Sequence, residues 1–353
     1  MWWRPGKKSP LIAIDISTNA AKLLEVSRNG DDYRVESYAV EPLPLGVISE
    51  NTIVDIESVG YAVERALRRS ETKSNRAIVA VPGSSVITKI VPIPATITDE
   101  ELENQIILEA DQYIPYPLEE VHLDFDVLGV SKRNPEMLDV LMCASRSENV
   151  EMRVAALEAA GLEVDIVDVE TYAIENAFKF ISDQLPEGLA RKTIAVADVG
   201  SAITTLTIIH DGRTVYSREQ VFGGNLLTEE IQQRYGLSRE EAGMAKKQGG
   251  LPRNYETEVL EPFKDAVAHQ ISRSLQFFSS SAQQSTIDHI LLGGGCAAIK
   301  GLDDLVESKV GISTTVANPF LNMSISPKIR IQNLNADAPS MLITLGMCLR
   351  NLD

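Results

Sequence analysis

The sequence has few of the residues that bind transition metals or form disulfides. Its 353 residues include three cysteines, Cys143, Cys296 and Cys348, and four histidines, none of them arranged with metal-ligand spacing. The number of cysteines is odd, and they lie far apart in the chain. We therefore expect reduced thiols, a cytoplasmic protein and no zinc site.

Long apolar runs are also absent. No run approaches the roughly 20 residues that a bilayer-spanning helix needs, and the first residues, MWWRPGKK, have no apolar core of a signal peptide. We expect a protein without a membrane span, in which residues 1–8 form a flexible tail. The sequence also lacks GxxxxGK[ST], and its triple glycine does not follow GxGxxG, so neither a P-loop nor a Rossmann site is supported.

Basic residues are outnumbered by acidic ones. There are 33 Lys and Arg against 50 Asp and Glu, which gives a formal net charge of −17 at pH 7. Nucleic acids and anionic lipids recruit Lys and Arg, so neither is expected as the main partner. A basic peptide segment would suit this surface better. The length and the 44% share of hydrophobic residues allow two or three domains with sizeable cores.

Two segments about 180 residues apart resemble each other. Residues 12–26, IAIDISTNAAKLLEV, and residues 194–209, IAVADVGSAITTLTII, each contain an apolar strand, an Asp, a short polar turn and a second apolar strand. This repeat predicts two related halves, each of which opens with a sheet and closes with helices.

The acid in each hairpin, Asp15 or Asp198, needs a partner, because an unpaired buried carboxylate costs several kcal/mol. Two interpretations are open. In a structural role, backbone amides of the following turn would satisfy each carboxylate. In a functional role, both acids would face one cleft and hold the hydration shell of a magnesium ion, while the turn amides cradle phosphates.

A distinct insert is predicted over residues 84–164. Thr98 followed by Glu101 forms a capping box, so a helix is expected over residues 99–113, ending at the prolines of IPYP. The remaining elements are a hairpin and a second helix, at residues 122–129, 137–145 and 147–160. This order predicts a small α+β module inside the first half.

A glycine-rich turn follows late in the chain. A strand over residues 289–292 is expected to run into Gly293, Gly294 and Gly295 and then into a helix. Such a turn lets the backbone approach a nucleotide closely. By itself, a triple glycine is equally consistent with a plain tight turn.

Two Asp-containing hairpins followed by a strand, three glycines and a helix resemble the actin-like ATPase superfamily. The segment EADQYIPYPLEEV at residues 109–121, with Asp124 and the element order of the insert, more specifically resembles the PilM family of type IV pilus assembly proteins. The resemblance covers almost the whole chain. It implies an α/β actin-like ATPase fold, with two related halves around a nucleotide cleft, a small α+β insert of the 1C type, and ATP with Mg²⁺ as ligands.

The resemblance divides the chain into subdomains. The first actin-like subdomain comprises residues 9–83, 165–190 and 338–353, and the insert comprises residues 84–164. The second actin-like subdomain comprises residues 191–225 and 281–337, and a helical subdomain on the purine side comprises residues 226–280.

The resemblance also assigns residues to the cleft. Those of the first phosphate motif are Asp15, Ser17, Thr18, Asn19 and Lys22. Those of the second phosphate motif are Asp198, Gly200, Ser201 and Thr204. The adenosine motif and the turn before the helical subdomain contribute Gly293, Gly294, Gly295, Gly223 and Gly224. Asp15 and Asp198 would bind Mg²⁺ through water.

Three further residues have two interpretations each. Glu241 and Lys246 are placed like residues that flank the purine, and equally like a solvated helix face. Glu170 occupies the segment where relatives keep a water-positioning Gln or Glu, which makes it the candidate catalytic residue. An acid at a helix N-terminus is also favoured by the helix dipole alone.

Ser17 departs from the family pattern, in which the first motif reads Asp-Ile-Gly. A serine cannot freely adopt the backbone angles that are open to glycine, so close approach of a phosphate at this turn is in question. We therefore expect weak ATP hydrolysis or none.

The resemblance implies a cytoplasmic component of the inner-membrane assembly platform of type IV pili. It would bind the N-terminal cytoplasmic segment of the membrane protein PilN, in a groove between the first subdomain and the insert, and link platform proteins to motor ATPases. Its contact with the inner membrane would run through these partners, and self-association is compatible with the fold. Two alternatives stay open, a cell-division scaffold of the FtsA type and an actin-fold small-molecule kinase.

Overall fold

The computed structural model describes residues 10–182, 185, 192–281, 286–350 and 352. The tail predicted at residues 1–8 lies outside the described residues. The strands are β1 (Leu11–Ile16), β2 (Ala20–Asn29), β3 (Asp32–Pro42), β4 (Ile48–Ser49), β5 (Thr52–Ile53), β6 (Arg76–Val81), β7 (Val86–Pro94), β8 (Val121–Val130), β9 (Met137–Arg146), β10 (Glu163–Val169), β11 (Thr193–Val199), β12 (Thr204–His210), β13 (Arg213–Gln220), β14 (His289–Gly293), β15 (Thr314–Val316) and β16 (Ser324–Ile325). The helices are α1 (Ile56–Ser70), α2 (Asp99–Tyr113), α3 (Ser147–Ala159), α4 (Glu170–Ile181), α5 (Gly224–Tyr235), α6 (Arg239–Gln248), α7 (Glu261–Ser281), α8 (Leu302–Val310), α9 (Ile331–Asp337) and α10 (Leu342–Arg350).

The first half is built on a sheet with the strand order β10-β6-β1-β2-β3-β16. Strands β1, β2 and β3 are antiparallel neighbours, whereas β6 and β10 run parallel to β1. Consecutive residues of a strand point to opposite faces. Ile12 and Ile14 therefore enter a core with Val59 of α1, while Ala13 enters a second core with Leu345 of α10. Helices thus cover both faces of this sheet.

The second half repeats this arrangement. Its sheet has the order β13-β12-β11-β14-β15, in which β11, β12 and β13 are antiparallel and β14 and β15 are parallel to β11. Helix α7 packs on one face, with Val267 and Ile271 in a core that includes Ala195 and Leu206. The prediction of two related halves is confirmed, because both sheets join an antiparallel three-stranded meander to two parallel strands.

The insert has its own small core. Its antiparallel sheet has the order β7-β9-β8, and α2 covers one face. The capping box of Thr98 and Glu101 is present at the start of α2, so the predicted helix and its start are confirmed. Ile106 of α2 packs with Ile93 and Met142 of the sheet. The insert is therefore a separate α+β module, with one sheet face left free of α2.

Helix α3 lies differently from its predicted grouping. The sequence pattern assigned residues 147–160 to the insert, but Ala156 and Leu157 are fully buried in the first-half core with Ile12. Helix α3 also packs along α1. It therefore belongs structurally to the first half, because its buried apolar residues pack in the core of the first sheet and not in that of the insert.

None of the described helices is both long enough and apolar enough to cross a membrane.

Candidate functional site

A cavity lies between the two halves, where the β1–β2 turn and the β11–β12 turn meet. Most of the predicted site residues line it, namely Asp15, Ser17, Thr18, Asn19, Lys22, Glu170, Asp198, Gly200, Ser201, Gly294 and Gly295. Asn19 Nδ2 donates a hydrogen bond of 2.8 Å to Asn225 Oδ1, which joins the two halves beside the turns. The start of α4 and the segment before α10 complete the wall.

Asp15 has a side-chain cation as its partner. Strand pairing places Asp15 opposite Lys22, and Lys22 Nζ donates to Asp15 Oδ2 at 2.8 Å and to Ser340 O at 2.9 Å. Asp15 is only 3% exposed. Burial opposes the charge of Lys22, but the carboxylates of Asp15 and Asp198 outweigh it and raise the Lys22 pKa. The first hairpin therefore neutralises its own acid.

Asp198 has no such cation. Strand pairing places Thr205 opposite it, and among the described residues its carboxylate forms no ion pair or hydrogen bond. Burial raises the Asp198 pKa to about 6; Lys22 opposes this shift and Asp15 adds to it. Asp198 is thus a half-buried acid whose charge is left for something else to neutralise.

Several glycines of the site are required by close backbone packing. A Cβ at Gly200 would lie 2.7 Å from Ile203 O, and one at Gly223 would lie 2.6 Å from Gly200 O. A Cβ at Gly294 would lie 2.4 Å from Val199 O, and this residue also has a left-handed φ of 81°. These glycines let the turn at Gly200, the segment at Gly223 and the end of β14 pack closely, backbone against backbone.

Glu170, the first residue of α4, is a half-buried acid in a crowded electrostatic environment. Burial raises its pKa to about 8; Asp15, Glu219 and Asp198 add to the shift, and Arg153 opposes it. A carboxyl group with this pKa is mostly protonated at pH 7, and only its ionised minority form can accept a proton from water. The assignment of Glu170 as the catalytic residue stays a prediction.

Six predicted residues do not line the cavity: Thr204, Gly223, Gly224, Glu241, Lys246 and Gly293. Thr204 Oγ1 instead donates to the buried Phe222 O at 2.8 Å, because alternation along β12 turns its neighbour Thr205 towards the cavity. Thr205, rather than the predicted Thr204, therefore lines the cavity.

The two predicted purine-side residues also have other partners. The Glu241 carboxylate accepts from Ser238 N at 2.8 Å in a capping box at the start of α6, and Glu241 is exposed. Lys246 Nζ donates to Gly224 O at 3.1 Å and to Thr228 Oγ1 at 2.8 Å, and its neighbour Lys247 lines the cavity instead. The contacts of Glu241 are therefore those of a solvated helix face, which was one of its two interpretations.

Sequence reasoning missed several residues of the cavity wall. These are chiefly Asn51, Gly83, Thr171, Glu219 and Lys247. Asn51 offered a weak signal, because asparagine favours turns with a left-handed φ, and its φ in the structure is 64°. Glu219 lies on β13 and gave none, since only the tertiary structure brings it to the cleft.

A direct metal site is not present in the described part of the chain. No group of three or more His, Cys, Asp or Glu side chains there could hold a metal ion. Of the two hairpin carboxylates that line the cavity, Asp15 already pairs with Lys22, and Asp198 has no ion pair among the described residues. This arrangement suits a cation that keeps its water shell.

Two sheets of the same strand order, with their hairpin turns meeting at a shared cavity, define the actin-like ATPase fold. A family model described as type IV pilus assembly protein PilM matches residues 13–352. The chain belongs to this family, and its role lies in type IV pilus assembly.

One solved structure supports this assignment. A solved structure described as the PilM-PilN type IV pilus biogenesis complex is 26% identical, with a TM-score of 0.79, and the match covers 98% of this chain and 99% of that chain. The ethanolamine utilization protein EutJ from Carboxydothermus hydrogenoformans is 15% identical, with a TM-score of 0.58, over 98% and 90% of the two chains, and so shows the fold alone. The cell division protein FtsA of Bacillus subtilis is 22% identical over 353 residues, covering 87% of this chain and 78% of FtsA.

Proposed function

We propose that the protein is a nucleotide-dependent scaffold of the type IV pilus assembly platform. It binds ATP with Mg²⁺ in the cavity between the halves and the N-terminal cytoplasmic segment of a PilN-like membrane protein on the insert. Through these contacts it links platform proteins to the motor ATPases at the cytoplasmic face of the inner membrane. ATP hydrolysis is slow or absent, with Glu170 as the residue that would position water.

One observation carries the nucleotide part of the proposal. Asp198 is a half-buried acid without a partner among the described residues, and it lies in a cavity that both hairpin turns line. The turn backbones at Ser17 to Asn19 and at Gly200 and Ser201 border the same space. These residues fit a triphosphate, because turn amides can donate to phosphate oxygens and Asp198 can bind a hydrated Mg²⁺.

The two basic residues of the cavity fit the same ligand. Lys22 Nζ is held at the cavity wall by Asp15 and Ser340 O, and Lys247 lies on the side of the helical subdomain. When bound, the Mg²⁺ ion would neutralise phosphate charge that these lysines leave unbalanced. Apart from Glu170, the residues of the cavity bind and orient the phosphates.

The peptide is proposed to bind the exposed sheet face of the insert. We define the partner groove as the sheet face opposite α2, formed by Thr88, Ile90, Asp124, Asp126, Leu141 and Cys143. In the strand pairing, Leu141 lies between Ile90 of β7 and Asp126 of β8. Ile90 is 58% exposed, and the two aspartates flank this apolar row.

The chemistry of the partner groove suits a short basic and apolar segment. Tyr172 of α4 borders one end, where Cys143 Sγ approaches Tyr172 Oη at 3.7 Å, so the groove lies between the insert and the first half. Apolar side chains of a peptide would cover Ile90 and Leu141, and a basic one would pair with Asp124 or Asp126. The match to a structure of a PilM-PilN complex supports this choice of partner.

The variant Asp198→Ala tests the nucleotide site. We expect its affinity for ATP with Mg²⁺, measured by calorimetric titration, to fall by at least about 100-fold, which corresponds to about 2.7 kcal/mol. Asp303→Ala, at an acid in the first turn of α8, is the control and should bind like the wild type. Nucleotide affinity of Asp198→Ala within a few-fold of the wild type would disprove the site.

The peptide site is tested separately. A labelled peptide of the partner's N-terminal cytoplasmic segment is titrated with the wild type and with Ile90→Asp, with and without ATP. We expect the variant to bind at least about ten times more weakly, because a charge on the apolar row must be desolvated. Val215→Asp, at an equally exposed strand valine of the second half, is the control. If the peptide does not bind the wild type with or without ATP, the proposed platform function is disproved.

A further inference from the structure

The insert joins the first half through two chain crossings. The chain enters it through the turn Gly83–Ser85 and leaves it at the end of β9, where α3 begins. Ser145 Oγ donates to Ser85 O at 3.0 Å and so ties the two crossings together. We call residues 83–85 and 145–147 the neck of the insert.

Glu219 of the second half binds this neck from across the cleft. Its Oε1 accepts from Ser84 N at 3.2 Å, and its Oε2 accepts from Ser84 Oγ at 2.8 Å and from Asn51 Nδ2 at 2.9 Å. One carboxylate of the second half thus receives three hydrogen bonds from two separate segments of the first half. Glu219 also lines the cavity, so it touches both the cleft and the neck.

Asn51 extends this connection to the exit of the insert. Its backbone carbonyl accepts from Arg153 Nη2 at 2.9 Å, and Arg153 Nη1 donates to Asn149 O at 3.2 Å within α3. Arg153 is only 3% exposed. Hydrogen bonds therefore connect Glu219 through Ser84 to the start of β7, and through Asn51 and Arg153 to α3, which follows β9 directly.

The neck is tightly packed on one side and open on the other. A Cβ at Gly83 would lie 2.3 Å from Thr171 Oγ1 of α4, so the neck backbone rests directly on that helix. Ser84, by contrast, is exposed, and its hydrogen bonds to Glu219 are accessible to water. Exposed hydrogen bonds break and re-form at modest cost, as a reversible connection requires.

We propose that Glu219 transmits closure of the cleft to the partner groove on the insert. The proposal rests on the proposed function, because it requires a nucleotide in the cleft and a peptide on the insert. With the halves closed, Glu219 holds the neck and fixes β7 and β9, which carry Ile90 and Leu141 of the partner groove. When the halves separate, the three hydrogen bonds break and these strands can shift against the first half. Nucleotide and peptide therefore strengthen each other's binding.

The test measures coupling rather than affinity. The Kd of the labelled partner peptide is determined with and without a non-hydrolysable ATP analogue and Mg²⁺, and the ratio is the coupling factor. We expect a factor of about ten for the wild type, within the usual range for linked sites, and below about two for Glu219→Gln. Ser84→Ala removes one of the three hydrogen bonds and should give an intermediate factor. Glu229→Gln, at an acid that pairs with Arg239 inside the second half, is the matched control.

Two further measurements separate transmission from a general loss of structure. Amide hydrogen exchange of residues 83–94 should slow on nucleotide binding in the wild type and not in Glu219→Gln. The double variant Glu219→Gln with Ser84→Ala should lose no more coupling than Glu219→Gln alone, because both act through one contact. Thermal unfolding checks that each variant is folded.

The outcomes are distinguishable. Wild-type coupling that survives in Glu219→Gln would overturn the role of Glu219. A wild type that binds both ligands independently would also overturn it, while the proposed function would stand. A wild type that binds neither ligand would overturn both.

Discussion

The two hairpins at the cleft share a geometry but differ in charge. In each, an acid pairs across the strands with the residue seven positions later: Asp15 with Lys22, and Asp198 with Thr205. The lysine neutralises Asp15, whereas the threonine leaves Asp198 without a cation and with a pKa of about 6. The same hairpin geometry thus occurs twice. In the first hairpin a lysine neutralises the acid, and in the second the acid is left for a ligand.

The turns themselves differ at one position. Ser17 and Gly200 both donate their backbone N–H to the residue three positions later, at 3.0 Å in each case. Ser17 Oγ also donates to that carbonyl, Ala20 O, and its φ is not left-handed. A side chain at Gly200 would instead collide with Ile203 O. Serine is therefore structurally accommodated in the first turn, and glycine is required in the second.

The largest effect is expected from removing the cation of the first hairpin. Lys22→Met leaves Asp15 buried without a partner, and breaking a buried ion pair costs about 3–5 kcal/mol. Unfolding by urea should show this loss of unfolding free energy. Thr205→Met, the matched change in the second hairpin, should cost less than about 1 kcal/mol, since no pair is broken. Similar losses in the two variants would contradict the electrostatic difference between the hairpins.

Exchanging the turn residues should give an intermediate effect. In Gly200→Ser the new Cβ meets Ile203 O, so the turn must shift, at a cost of about 1–3 kcal/mol in unfolding free energy. Ser17→Gly loses one hydrogen bond and gains chain entropy in the unfolded state, which together cost about 1 kcal/mol. Urea unfolding compares the two, and an equal or larger loss in Ser17→Gly would contradict the stricter requirement for glycine in the second turn.

The smallest effect concerns pH. Because the Asp198 pKa is raised, its protonated form contributes stability that is complete below pH about 4 and is lost as the pH rises through 6. Thr205→Lys should supply a cation in the register position of Lys22, lower the Asp198 pKa and flatten this dependence. Unfolding free energies between pH 4 and 7 check it, with Asp198→Asn as the control in which the group cannot titrate. An unchanged slope in both variants would show that another acid is responsible.

The sequence was informative where local pattern decides structure. The repeat around Asp15 and Asp198 predicted two related halves, and the capping box at Thr98 predicted the start of α2, because strand alternation and helix caps depend on neighbouring residues. Thr204 was assigned to the cleft, whereas Thr205 lines it, because the sequence alone does not show which of the two faces the cavity. Helix α3 was grouped with the insert because its apolar residues do not reveal which core they enter.

By itself, the sequence determined that the chain has two Asp-containing hairpins, an α+β insert and an acidic surface, because composition, periodicity and turn residues are local properties. Only the tertiary structure decided which acid of the cleft keeps a free charge and which side chains connect the halves. Lys22 reaches Asp15 through strand register, and Glu219 reaches Ser84 and Asn51 only when residues more than 100 positions apart are packed together. Contacts of that kind depend on how whole sheets are placed, which no short pattern encodes.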